Sequence, residues 1–244
     1  MTKVGVMFLT YTPSMDHPRV EYARRCLVKL CQNLRFQDGM MRVHIADDGS
    51  PPEHVVKLRE IVIRYTGQEP TISVTSHMGY GANYNLGTQS LHHLVDYVMP
   101  IEEDWELMRE FDVSNLVRAL EDAPRAFGDW GDPDYIGCIR LGYLGWTERV
   151  TGWLTQLAGQ TFFRFDDKSL ENHVFAGHPR IETVEFEQRV GPWPEGLQAG
   201  YTEMEVCKRP QARQGVAWPL DADINASQDY CRLFAHVGEV QANA

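Results

Sequence analysis

The chain has 244 residues, of which 43% are apolar and 23% charged, and this composition indicates a globular protein long enough to bury a full core. Its formal net charge of −11 argues against a broad nucleic-acid-binding face, because such faces are usually basic. The five cysteines include no Cys-x-x-Cys pair, which favours buried thiols in a reducing compartment over a disulfide framework or a structural zinc site.

The amino-terminal apolar run, residues 4–9, is too short for a signal peptide and has no small-residue cleavage site after it. No apolar run approaches the roughly 20 residues needed to span a bilayer. We therefore expect no integral membrane segment and a cytoplasmic location.

The first hundred residues alternate between strand-type and helix-type patterns. The predicted order is a strand at 4–10, a helix that Asp16 caps and Gly39 closes, a strand at 42–46, a helix carrying Val55, Leu58 and Val62, a strand at 71–75, a helix entered through 79–87 and ending near Leu94, and a strand at 96–101. Such alternation predicts a parallel sheet with right-handed crossovers and a ligand crevice where the strands end.

Polar side chains are concentrated in the loops that follow these strands. They are Thr10 to Thr12 after the first strand, Asp47 and Asp48 after the second, and residues 102–104 after the fourth. The loop after the third strand carries glycines instead, which permit close backbone approach or positive φ angles. All four loops are expected at the same edge of the sheet.

The acidic run Glu102, Glu103 and Asp104 ends the fourth strand. Three adjacent carboxylates repel one another, and a bound divalent cation or a strong donor network makes them tolerable together. An exposed acidic turn is the other interpretation of such a triplet taken alone. The polar loops around it favour a metal site.

Several common nucleotide and catalytic motifs are missing from the sequence. The first loop lacks Gly-x-Gly-x-x-Gly, and there is no P-loop, Gly-x-Ser-x-Gly, His-Glu-x-x-His or Cys/His ligand cluster. A dinucleotide site of the usual type and a P-loop NTPase are therefore disfavoured.

In the first half of the chain the signals come in the order strand, Thr-Tyr, helix, strand, Asp-Asp-Gly-Ser, helix, strand, Gly-x-Gly-x-x-x-Asn-x-Gly, helix, strand, acidic cluster. Over about residues 3–107 this order resembles the family 2 type of glycosyltransferase. The resemblance implies an α/β protein with the GT-A (Rossmann-like) fold. Its sheet would be mostly parallel and flanked by helices, with a mixed second half on the acceptor side. Residues 1–107 would form the donor-binding half and residues 108–244 the acceptor-binding and catalytic half of one compact domain. The polar, turn-rich connection at 129–134 is the best dividing point that the sequence itself offers, but not a domain boundary.

The same resemblance assigns roles in the donor site. Thr10, Tyr11 and Asp47 or Asp48 would hold the base and ribose. Gly79 and Asn85 would line the diphosphate and sugar region, and His77 could also touch the diphosphate. The metal-binding Asp-x-Asp element corresponds to Glu102-x-Asp104, with Asp104 as ligand of Mn²⁺ or Mg²⁺ and Glu102 near the ribose or a metal-bound water. Oxygen ligands suit these cations, which neutralise the charge of a departing nucleoside diphosphate.

Signals in the second half are weaker. Strands are predicted at 136–141 and 161–165, and the Gly- and Pro-rich loop at 191–196 leads to a helix starting near Thr202. The resemblance makes Glu203 the general base, which takes the proton of the acceptor hydroxyl. Glu205 would point about 200° around the helix from Glu203 and is less favoured, and Asp221 and Asp223 are weaker candidates.

His236 lies between apolar residues and is either structural or, by the resemblance, a second metal ligand. The paired His92 and His93 are expected to be solvated. The tryptophans can stack on sugar or base faces or fill the core; they include Trp105, Trp146, Trp153 and Trp193.

These observations predict a metal-dependent, inverting glycosyltransferase of the hexosyltransferase type, with a nucleotide-sugar donor, UDP-linked by preference. The acceptor hydroxyl is left open among a glycan, a protein, a metabolite and a modified nucleic-acid base. One alternative is a nucleotidyltransferase, disfavoured because the first loop lacks a Gly- and Arg-rich phosphate grip. The other is a non-catalytic nucleotide- or sugar-binding module.

Overall fold

The computed structural model describes residues 1–123, 135–141, 151–166, 177–209, 215–220 and 233–238. The helices in these ranges are α1 (Arg19–Asn33), α2 (Pro52–Thr66), α3 (Tyr80–Leu91), α4 (Ser114–Asp122), α5 (Val184–Val190) and α6 (Ala199–Cys207). The strands are β1 (Lys3–Thr10), β2 (Leu34–Arg35), β3 (Met40–Asp47), β4 (Thr71–Val74), β5 (Tyr97–Glu102), β6 (Trp105–Leu107), β7 (Phe111–Asp112), β8 (Cys138–Arg140), β9 (Gly152–Leu157), β10 (Gln160–Phe165), β11 (Arg180–Thr183), β12 (Val216–Leu220) and β13 (Phe234–His236).

Nine of these strands form one sheet in the order β4-β3-β1-β5-β11-β8-β12-β10-β9. The first four are mutually parallel, as the strand and helix alternation predicts. From β11 onward the sheet is mixed, because β11 runs antiparallel to both β5 and β8 while β12 runs parallel to β8. The predicted fold class, a mixed α/β sheet flanked by helices, is confirmed.

The two faces of the sheet carry separate cores because side chains alternate along each strand. On β1, Val4, Val6 and Phe8 pack with apolar residues of α1, α2 and α4. Met7 and Leu9 point to the other face, where α3, α5 and α6 contribute the packing residues. Both surfaces of the parallel region are therefore covered, and its ligand-accessible part is the edge where the strands end.

The ends of two helices differ from the sequence prediction. Asp16 does not cap α1, because its carboxylate accepts a hydrogen bond from the Ser14 hydroxyl and the N-cap position is Pro18. The helix stops at Asn33, well before Gly39, because the next two residues form β2 and pair with β7. Helix α6 begins at Ala199, earlier than predicted, and has no acidic residue in its first turn.

No helix among the described residues is both long enough and apolar enough to cross a membrane. Pairing of β11 with β5 joins the two halves in one sheet, while the predicted division at residue 107 stays a prediction. The connection at 129–134, Trp146, Asp221 and Asp223 lie outside the described residues.

Candidate functional site

The carboxyl edge of the parallel strands brings the predicted donor residues side by side. Thr10 at the end of β1 stands opposite Asp47 of β3, and Leu9 stands opposite Glu102 of β5. The strand order reverses direction between β1 and β5, which is where open α/β sheets form their ligand crevice.

The carboxylates of Asp47 and Asp48 accept hydrogen bonds from the loops at this edge of the sheet. The Asp47 oxygens accept from the backbone N–H groups of Gly49 and Ser50 and from the Ser50 hydroxyl. Burial raises the pKa of Asp47, and these donors oppose the rise. Asp48 accepts hydrogen bonds from the backbone of the loop after β4, at Met78 (2.9 Å) and Gly79 (3.0 Å). The two residues thus tie the loops after β3 and β4 together at the edge.

Tyr11 and His77 face each other across this edge. Their rings are stacked with centroids 4.4 Å apart and an interplanar angle of 19°, and about half of the His77 side chain is exposed. The Nδ1 atom of His77 lies 3.4 Å from a carboxylate oxygen of Asp48. Thr10 is buried, and its hydroxyl lies 3.0 Å from Nε2 of His54. The Tyr11 and His77 pair therefore presents flat aromatic surface next to a fixed carboxylate.

Gly79 and Asn85 belong to the entry and body of α3. Gly79 precedes the helix with φ of 89°, a conformation that side chains other than glycine rarely adopt. The Asn85 amide bonds both to the backbone N–H of Trp193 (2.8 Å) and to its carbonyl (2.9 Å), and it also donates to the Glu195 carboxylate. Asn85 thus anchors the loop that leads into α6.

Asp104 and His236 come together although 132 positions separate them in the chain. Strand β13 pairs with β6, which puts His236 Nε2 3.3 Å from Asp104 Oδ2. This contact raises the pKa of His236. The other carboxylate oxygen, Asp104 Oδ1, is buried with no hydrogen-bond partner among the described residues. A buried carboxylate oxygen without a donor is a position that a cation can fill.

Glu102 and Glu203 come close together next to Gly177. The backbone N–H of Gly177 donates to Glu203 Oε1 at 2.7 Å, and the Tyr80 hydroxyl donates to Glu102 Oε1 at 3.2 Å. Burial raises the pKa of Glu102 well above its ordinary value, and the charges of Asp104 and Glu203 add to this rise. Glu205, in contrast, is exposed and pairs with Lys208 at the surface.

Within the acidic cluster, Glu103 is paired with Arg19, which is not among the site residues predicted from the sequence. The Arg19 guanidinium, at the start of α1, donates through Nε to Glu103 Oε1 at 2.6 Å. Burial raises the pKa of Glu103 to about 7, although Arg19 opposes the rise. Arg180 and Glu182 form a buried ion pair at 3.1 Å behind the site. Their side chains are separated by one position on β11, but no local pattern reveals that both point inward.

The predictions for the tryptophans and for the His92 and His93 pair have different outcomes. Trp105 and Trp193 are buried, whereas Trp153 is 40% exposed on β9. His92 is not solvated as predicted, because its imidazole pairs with the buried Glu187 carboxylate. Among the described residues, no three or more His, Cys, Asp or Glu side chains gather into a metal-binding cluster. Of the predicted metal ligands, Asp104 and His236 lie within contact distance of each other.

No protein-family model matches the chain, and no curated protein matches its sequence. Its fold is similar to that of the mannosyltransferase PcManGT from Pyrobaculum calidifontis, solved in complex with GDP-Man and Mn²⁺, with a TM-score of 0.51 and 14% identity. The match covers 94% of this chain and 60% of the mannosyltransferase chain, so this chain spans about three fifths of that protein's length. At this identity the similarity shows a glycosyltransferase-like fold, and membership of family 2 stays a prediction.

Proposed function

We propose that this protein is a metal-dependent glycosyltransferase that moves a sugar from a nucleotide-sugar to an acceptor hydroxyl with inversion. The observation that carries the proposal is the pair Asp104 and His236 at the end of β5, with one buried Asp104 oxygen lacking a donor among the described residues. Asp104 lies two residues after Glu102, which in turn neighbours Glu203. This arrangement supports a role for Asp104 in binding a cation and for the nearby Glu203 as a separate base.

Asp104 and His236 are the residues that would hold Mn²⁺ or Mg²⁺. A carboxylate oxygen and an imidazole nitrogen suit Mn²⁺, and such ions commonly complete their coordination with phosphate oxygens and water. When bound, the ion supplies positive charge that stabilises the departing nucleoside diphosphate. His236 must be neutral to bind a metal, and its contact with Asp104 raises its pKa, so acid should weaken metal binding.

The residues at the strand ends would bind the donor. The stacked rings of Tyr11 and His77 are proposed to contact the nucleobase, since aromatic faces stack on all bases with little dependence on which base is present. Thr10, Asp47 and Asp48 are proposed to shape the loops that surround the base and ribose. Gly79 and Asn85 would do the same for the diphosphate and sugar side, Asn85 by fixing the loop before α6.

Glu203 is proposed as the general base. Its carboxylate would take the proton of the acceptor hydroxyl as that oxygen bonds to the anomeric carbon and the bond to the nucleoside diphosphate breaks. A placed base contributes roughly 10²–10⁴-fold to such a step. The donor is proposed to be a UDP-sugar, with GDP-mannose as the other donor to test because the similar fold was solved with GDP-Man.

Thermal shift with a panel of UDP-glucose, UDP-N-acetylglucosamine and GDP-mannose, each with and without Mn²⁺, tests the binding. At a ligand concentration of about 100 Kd, stabilisation is about 2.7 kcal/mol, or roughly 5–10 °C in a protein of this size. We expect the shift only with donor and Mn²⁺ together. Asp104→Asn should abolish it, and Asp38→Asn should keep it because Asp38 is half-exposed and pairs with Arg118 at the surface.

The outcomes separate the alternatives. A shift that needs neither Mn²⁺ nor Asp104 would contradict the metal site, and no shift with any donor would contradict donor binding. Release of a nucleoside diphosphate from the bound donor supports the transferase, whereas release of pyrophosphate from a nucleoside triphosphate would identify a nucleotidyltransferase. Binding without any release would identify a non-catalytic module.

A further inference from the structure

The surroundings of Glu203 suggest how its position is set. Gly177 donates its backbone N–H to Glu203 Oε1 at 2.7 Å, and a hydrogen bond to a charged carboxylate is stronger than a neutral one. The chain is anchored two residues after this N–H group, because the carbonyl of Pro179 accepts from the backbone N–H of Leu141 at 2.8 Å. A fixed backbone group therefore orients one oxygen of the proposed base.

A second carboxylate meets Glu203 at the same place. A β-carbon added to Gly177 would stand 2.0 Å from Glu102 Oε1, 2.6 Å from Glu203 Oε1 and 2.8 Å from the Tyr80 hydroxyl. Real side chains do not approach polar atoms so closely, so three polar atoms fill the space that any residue larger than glycine would need. These atoms come from β5, α6 and α3, three elements that are distant in the chain.

Tyr80 controls the Glu102 side of this junction. Its hydroxyl donates to Glu102 Oε1 at 3.2 Å, and its ring packs against Trp193 with centroids 5.5 Å apart. The hydroxyl is therefore presented from a packed ring whose position does not depend on the bond itself. Loss of this donor would free Glu102 to move within the space it shares with Glu203.

We propose that Gly177 and Tyr80 are positioning residues for Glu203, Gly177 directly and Tyr80 through Glu102. The inference rests on the function proposed above. A general base must lie within about 2.6–3.2 Å of the proton that it takes, and a misplacement of about 1 Å can reduce the rate about 10²-fold. Two carboxylates that share one small space need fixed donors on each to keep either of them in a single orientation.

Transfer of the sugar to water tests this without a known acceptor. In that reaction the water oxygen bonds to the anomeric carbon, the bond to the nucleoside diphosphate breaks, and Glu203 receives the water proton. The assay measures nucleoside diphosphate release with Mn²⁺ and whichever of UDP-glucose, UDP-N-acetylglucosamine or GDP-mannose gives the thermal shift. It yields kcat and the KM for the donor separately, which distinguishes misplacement of the base from loss of donor binding.

Gly177→Ala should lower kcat about 10²-fold and leave the donor KM within about twofold. The matched control is Gly200→Ala, because a β-carbon on Gly200 would meet nothing within 4 Å, and this variant should behave as wild type. Tyr80→Phe keeps the ring and removes only the hydroxyl, so kcat should fall by about three- to tenfold with the same KM.

Unchanged kcat in folded Gly177→Ala would overturn the inference and leave the proposed function standing. A raised donor KM with unchanged kcat would also overturn it, because Gly177 would then serve donor binding. If Gly177→Ala does not fold, Tyr80→Phe decides, and a kcat equal to wild type would overturn the inference. If the wild-type protein releases no nucleoside diphosphate from any of the three donors, the proposed function fails and the inference fails with it.

Discussion

The buried ion pair behind the site gives a stability prediction whose size follows from the structure. The side chains of Arg180 and Glu182 have no exposed surface and are joined at 3.1 Å. Tyr84 links them, because its hydroxyl donates to Glu182 at 2.7 Å and accepts from Arg180 at 2.7 Å. Burial raises the pKa of Glu182, and the adjacent guanidinium opposes the rise. Glu182→Gln keeps the shape of the side chain but removes the charge that balances Arg180.

Removing one partner of a buried ion pair typically costs about 3–5 kcal/mol, because the remaining charge stays desolvated. Domains are stable by about 5–15 kcal/mol, so Glu182→Gln should remove a large part of the free energy of unfolding. Urea denaturation of wild type and variant at neutral pH measures the loss, provided that the m-value is unchanged.

Glu21→Gln is the matched control for this measurement. Glu21 and Arg24 form an ion pair of the same type on α1, but their side chains are 59% and 55% exposed. Exposed pairs contribute about 0.2–1 kcal/mol at most, so this variant should stay close to wild type. If Glu182→Gln loses no more than about 1 kcal/mol beyond Glu21→Gln, the reasoning from burial is refuted.

Two further predictions concern buried polar groups. Burial lowers the pKa of both His44 and His54 from 6.5 to about 4. As the pH falls, the two histidines bind protons in the unfolded chain at a higher pH than in the folded protein. Their contribution to the free energy of unfolding is therefore fully present above about pH 6.5 and is lost as the pH drops towards 4. In urea denaturation between about pH 7 and pH 5, the free energy of unfolding of His44→Gln should fall less steeply with decreasing pH than that of wild type. An unchanged steepness would argue against a contribution from His44. Asn85→Ala should cost about 1–3 kcal/mol in thermal denaturation, because it leaves the buried Trp193 N–H without its 2.8 Å acceptor. A loss within error of zero would show that the loop before α6 does not depend on Asn85.

Local sequence patterns are sufficient for most of the first half of the fold. Apolar runs separated by Gly, Pro and Asp predict β1, β3, β4, β5 and the three helices between them, and their alternation predicts the parallel pairing that is observed. Parallel order alone also puts Thr10, Asp47 and Glu102 at one edge, because strands in that order all end on the same side. The carboxyl-edge location of the candidate site was therefore accessible from the sequence.

The helix ends were harder to predict from the sequence, because they depend on contacts with other elements. Helix α1 ends at Asn33 because the next residues form β2, which pairs with β7 about 77 positions away in the chain. Nothing in the local sequence pattern marks that end. The prediction that His92 is solvated was wrong for the same reason, since Glu187 comes next to it only when α5 packs near β5.

The contacts inside the site were decided by the tertiary structure. The sequence by itself determined which side chains end the parallel strands, because periodicity and turn residues act over a few positions. It could not determine that Glu102 would meet Glu203 at Gly177, or that β13 would bring His236 to Asp104. Those contacts join segments about 70 to 130 positions apart through the antiparallel β11 and the β6 and β13 pair, and only the packed chain brings such distant segments together.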